Sequence, residues 1–148
     1  MKAAWIYPFI VVGGMLQAFG APMNGQLFAS LGNKWLATAI SFVIVTFFFV
    51  AMFLIFPHPL PTQEAIAKMP WWAPIGGLVG AVQVYAGLTL VQRVGAGPFM
   101  GLTVSAALIA SLIIDQFGFF NMHVHPVNLA RAAGAGLMIG GIILITRN

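Results

Sequence analysis

The sequence predicts an all-α integral membrane protein built from five membrane-spanning helices, and three observations lead there. Of the 148 residues, 61% are hydrophobic and only 5% are charged, far below the charge density that solvates a soluble surface. Apolar runs of about 20 residues recur, and at 1.5 Å per residue each covers roughly 30 Å of hydrocarbon. Proline, glycine and the few charges collect between these runs, where a chain would turn.

The first span is expected over residues 4–31, kinked at Pro22, because proline removes one backbone donor without ending a membrane helix. Its opening, with Lys2, an apolar stretch and Ala18-Phe19-Gly20, has the outline of a secretory signal; it is read as a retained first helix. The second span, 35–56, contains no glycine, proline or ionisable residue between Leu36 and Phe56. PHPLP (57–61) stops it and opens a polar loop with Glu64 and Lys68. Pro70-Trp71-Trp72 marks an interface, and the third span is expected over 71–92. Arg93 and VGAGP (94–98) turn the chain into a fourth span, 97–117. NMHVHP (121–126) leads into a fifth, 127–146. One membrane domain over 1–148 is expected.

Five crossings put Lys2, Lys68 and Arg131 on one side, and Lys34, Arg93 and Arg147 on the other. Orientation follows an excess of cytoplasmic Lys and Arg, and three against three supplies no excess. The expectation is dual topology, with two copies inserted oppositely and paired as an antiparallel homodimer of ten helices. Such a pair makes the inverted repeat that larger transporters hold in one chain. A single orientation set by loop length or by a partner is the competing expectation.

Inside the spans, polar and small residues recur at helical spacing. Gly13, Gln17, Gly20 and Asn24 share one face of the first span; Gly76, Gly80, Gln83 and Gly87 repeat the pattern in the third. Amides in hydrocarbon must find partners, so Gln17, Asn24 and Gln83, with the ring of Tyr85, are candidates to line a substrate cavity among the first, third and fourth spans. The competing reading has these amides only holding helices together. Gly76 and Gly80, and Gly136 and Gly140 in the fifth span, are expected to pack helices, within the chain or across a dimer. Thr103, Ala107, Ser111 and Asp115 form a further stripe at intervals of four.

Asp115 is one of two acidic residues. It lies 17 residues after Pro98, about 25 Å along the helix, near the far interface, where a carboxylate costs less than at the membrane centre. A helix C-terminus disfavours its negative charge, so a cation should compensate it. Among Lys2, Lys68 and Arg131 the expected partner is Arg131. The pair reads as an interfacial clip between the last two spans, with a gate or ion site at a cavity mouth as the functional alternative.

Other chemistry is poorly served. There are no cysteines, so thiol catalysis, disulfides and thiolate-held cofactors are excluded. His123 and His125 lack a third ligand nearby, and no metal or cofactor is expected. The basic residues are scattered singly, against a nucleic-acid surface. No nucleophile, base and acid stand together, against an enzyme.

LQAFGAPMNGQL (16–27), GGLVGAVQVYAGLTLVQRVG (76–95), ASLIIDQFG (110–118) and RAAGAGLMIGGIILI (131–145) together resemble the YdcZ-type family of the drug/metabolite transporter superfamily. The likeness covers essentially the whole chain in order, and ASLIIDQFG is its most specific part. It implies a five-helix half-transporter in the bacterial inner membrane, exporting or importing small molecules. The related small multidrug-resistance proteins carry a glutamate in their first helix. This chain has Gln17 and Asn24 there and no acid, which argues against coupling by that glutamate. The resulting expectation is alternating-access transport of a small neutral, zwitterionic or aromatic solute by the inverted homodimer in the lipid bilayer. A passive channel for a neutral solute and a non-transporting accessory subunit are the competing expectations.

Overall fold

The computed structural model describes residues 5–56 and 58–147. Lys2 and the expected first residue of the opening span, Ala4, lie outside the described residues, as does Pro57. The described chain is helical, without strands, and five of its helices are long and apolar enough to cross a membrane: Ile6–Leu31, Lys34–Ile55, Ala73–Val94, Ala96–Phe117 and Leu129–Arg147. It forms two compact units, Met1–Gln92 and Arg93–Asn148.

In the first unit, helix α1 (Ile6–Leu31) runs unbroken through Pro22. Proline there cannot donate to the carbonyl one turn back, a loss that a membrane helix tolerates. Only Gly32 and Asn33 separate α1 from α2 (Lys34–Ile55). Gly32 takes φ +63°, a left-handed conformation that glycine adopts freely, and its N–H donates to the Phe28 carbonyl at 2.9 Å. Asn33 Oδ1 then accepts from the Trp35 and Leu36 amides at 3.0 and 3.1 Å. One residue closes a helix and the next opens another, and so short a link makes α1 and α2 antiparallel neighbours. Lys34 begins α2, where the helix dipole disfavours a cation. Its ammonium lies over the rings of Trp35 and Tyr85, 5.4 and 5.7 Å from their centroids, and those rings stack 5.0 Å apart. Two ring faces thus offset the dipole.

A short helix α3 (Gln63–Ala67) follows, capped by the Thr62 hydroxyl and carrying the exposed Glu64–Lys68 pair. The turn Ala73–Ile75 leads into α4 (Gly76–Val94). Close packing in this unit depends on residues with little or no side chain. Gly25 of α1, Ala37 of α2 and Gly87 of α4 are all buried, with Leu88 fully enclosed. A Cβ on Gly25 would stand 2.9 Å from Val91 Cγ1 and 3.1 Å from Gln92 Nε2.

The second unit pairs α5 (Ala96–Phe117) with α6 (Leu129–Arg147). Ser105, Ala135 and Ile142 are its buried residues, and Ile142 occupies the space that a side chain on Gly101 would need. Gly97 and Gly101, one turn apart on α5, face Ile145 and Ile142 of α6, and Ser105 is buried a turn further on. Of the expected stripe, Ala107 and Ser111 are exposed, and the Ser111 hydroxyl turns back to the Leu108 carbonyl.

The glycine stripes expected to pack helices, within the chain or across a dimer, make no close approach inside their own units. Gly76, Gly80, Gly136 and Gly140 have no described atom of their own unit within 4 Å of a would-be Cβ. Within the units Gly25 and Gly101 make the close helix approaches. The physical reason is that α6 carries small residues around its whole circumference, so spacing alone does not single out the side that meets α5.

Candidate functional site

A partly enclosed pocket of about 350 Å³ lies in the first unit. Its apolar lining comes from Met23 and Leu27 of α1, Phe42, Ile44 and Val45 of α2, and Val84 of α4. Two polar side chains enter it, Asn24 and Ser41. The Ser41 hydroxyl donates to Asn24 Oδ1 at 2.8 Å, with the Ala37 carbonyl as a second acceptor at 3.2 Å. The hairpin explains why they meet: Asn24 is eight residues before Gly32 and Ser41 eight after Asn33. Equal steps from a tight turn bring two antiparallel helices to the same height, here about 12 Å from the turn. At that depth water is scarce, and polar groups bond each other or a ligand.

Of the four residues expected to line a cavity, the structure places only Asn24 in this pocket. Gln17 and Gln83 are exposed, and Tyr85 is committed to Trp35 and Lys34. The pocket also belongs to the first and second spans, with one residue from the third, and has no part of the fourth. Gln17 lies seven residues from Asn24, and the intervening Gly20, Ala21 and Pro22 present little side chain to enclose anything. Ser41 was missed because the second span reads as uniform hydrocarbon. The signal that could have found it was the LGNK turn (31–34), which fixes which residues of the two helices share a height.

The second unit holds an ion pair. Arg131 Nη2 donates to Asp115 Oδ2, and Arg131 Nη1 donates to the His125 carbonyl at 2.7 Å. Both side chains are about two-thirds or more buried, Arg131 34% and Asp115 19% exposed. The intervening segment is tied at several points. Gly118 (φ +63°) closes α5, and a Cβ there would stand 2.9 Å from Val124 Cγ2. The His125 amide donates to the Asp115 carbonyl at 2.9 Å, and the Val127 amide to Gln116 Oε1 at 2.7 Å. Asn128 Oδ1 caps α6 by accepting from the Arg131 amide at 2.9 Å. Phe120 and Asn121 hold φ of 59° and 61°. Such left-handed backbone is strained for a phenylalanine, and the surrounding bonds fix it. Asp115, His125, Pro126, Asn128 and Arg131 line an open polar recess of about 360 Å³ beside the pair. His125 thus acts through its backbone, and among the described residues no three metal-ligating side chains come together.

Comparison with known proteins adds identity to this geometry. The family described as "Putative inner membrane exporter, YdcZ" matches residues 5–144. The inner membrane protein YdcZ of Escherichia coli (strain K12) is 31% identical over 86 residues, spanning 57% of this chain and 56% of that protein. The match thus spans little more than half the length of that relative. No solved structure matches the chain. A family match over nearly the whole sequence, on five helices able to span a membrane, establishes that the chain is a multi-pass inner-membrane protein belonging to the YdcZ family.

Proposed function

We propose that the chain transports a small organic solute across the inner membrane, each copy supplying half of an inverted-topology homodimer that works by alternating access. The observation that carries the reading is the Asn24–Ser41 pair, set about 12 Å below the helix turn in an otherwise apolar pocket. A helix contact needs no such pocket, and an enzyme needs reacting groups that this one lacks. The family's exporter description supports transport over catalysis. On this reading 1–148 works as a single membrane domain, and the Asp115–Arg131 pair clips its last two spans beside the polar recess.

The balanced count of basic residues supports dual topology. Gln63→Cys, exposed at the start of α3, gives one thiol in a chain that has no cysteine. A membrane-impermeant maleimide should label about half of the copies in intact cells. Labelling of all copies, or of none, overturns the antiparallel homodimer. Transport itself is read from accumulation of uncharged aromatic solutes in energised cells. Cells making the native chain should differ from cells making Asn24→Leu, and identical accumulation across the panel overturns the transport reading.

A further inference from the structure

We infer that the pocket between α1 and α2 binds an uncharged, largely apolar molecule through one hydrogen-bond acceptor, which the side-chain amide of Asn24 receives. The inference rests on reading this pocket as the solute site, and it goes further by naming the chemistry of the solute. Asn24 Oδ1 is taken by the Ser41 hydroxyl, while its Nδ2 donates to no group among the described residues. Asn24 is half-buried, and no side-chain nitrogen or oxygen among the described residues is buried without a partner. This Nδ2 therefore stays accessible at the pocket that Asn24 lines, and an incoming carbonyl, ester or ether oxygen would meet its N–H bonds there. The Ser41 hydroxyl has one hydrogen, shared between Asn24 Oδ1 at 2.8 Å and the Ala37 carbonyl at 3.2 Å, so it holds the amide by its oxygen and takes up neither of its N–H bonds.

The rest of the lining sets the remaining properties. Among the described residues no ionisable side chain lines the pocket, so an ionic group would enter without a counter-charge, which hydrocarbon penalises heavily. Met23 and Phe42 offer a thioether and a ring face, both suited to an aromatic surface. A volume near 350 Å³ is at the small end of ligand pockets,.

Benzophenone has these properties and is also a photolabel. On irradiation its carbonyl takes a hydrogen from a nearby C–H and joins the carbon, leaving a tertiary alcohol that mass spectrometry locates. The full chain in lipid nanodiscs should give a saturable adduct on the α1 and α2 residues around Met23 and Phe42. Ethyl benzoate, which has the acceptor, should suppress this adduct about fivefold better than butylbenzene at equal membrane concentration, the equivalent of ~1 kcal/mol for one net hydrogen bond. That comparison needs no variant. Asn24→Leu should abolish the difference between the two competitors, provided its adduct still forms. Equal competition in the native chain overturns the acceptor inference. Unsaturable adducts spread over exposed positions such as Phe9 and Leu137 overturn the site itself. A saturable, acceptor-selective adduct in a chain that leaves solute accumulation unchanged upholds the site and removes the transport reading alone.

Discussion

Replacing Gly101 with alanine should reverse the sign of its effect according to what stands at position 142. A methyl group on Gly101 runs into the outer carbons of Ile142, with Cγ1 at 2.7 Å, whereas Ile142 Cβ is 3.5 Å away, an ordinary contact. In the native background the methyl overpacks the α5–α6 contact, and such insertions cost about 1–3 kcal/mol. Alanine also favours a helix over glycine by about 1 kcal/mol, so the net loss should be roughly 0–2 kcal/mol. Ile142→Ala removes all the crowded atoms and leaves only Cβ. In that background the steric cost disappears and Gly101→Ala should stabilise by up to about 1 kcal/mol. The coupling between the two positions is then about 1–3 kcal/mol, well above additivity error for separate sites. Reversible unfolding of the four proteins in mixed micelles measures it. Effects of Gly101→Ala that are equal in the two backgrounds, within about 0.5 kcal/mol, would refute the contact.

The hairpin turn and the ion pair give two further expectations. Asn33→Ala should cost about 1 kcal/mol by removing the cap of α2, seen as a lower unfolding midpoint, while Asn33→Asp should retain most of it because its carboxylate accepts the same two amides. Arg131→Met should lose about 1–3 kcal/mol, and Arg131→Lys should fall between it and the native chain, because an ammonium keeps the charge beside Asp115 but lacks the fixed fork that holds two acceptors at once. Thermal unfolding of both variants decides it, and full stability of Arg131→Lys would show that charge alone sustains the clip.

The elements were legible because a membrane leaves few choices. Twenty apolar residues bounded by PHPLP or by VGAGP cannot be much else, and span ends moved by only a few residues between expectation and structure. The face of each helix was less legible. In a soluble helix the polar side reveals the packed side by contrast. In α6 small and apolar residues occur all round, so Gly136 and Gly140 looked as good as Ala135 and Ile142. The Arg131 contact to Asp115 could be anticipated because few cations were available and one stood just past the loop. Ser41 could not, because hydropathy gives a serine in a long apolar run no weight. Only pairing across the Gly32–Asn33 turn gives it a partner.

That turn also bears on how the chain reaches its membrane. When α1 and α2 enter the bilayer together, the segment that must be carried to the far side is Gly32, Asn33 and the single charge of Lys34. Two of the turn's polar amides are already occupied by Asn33, and the ammonium travels against two aromatic rings once Tyr85 is in place. In the opposite orientation the turn stays behind and the residues before α1, Lys2 among them, cross instead, so these two helices demand little charge transfer in either case. The hairpin is therefore a poor determinant of orientation, and the decision passes to the loops that are synthesised after it.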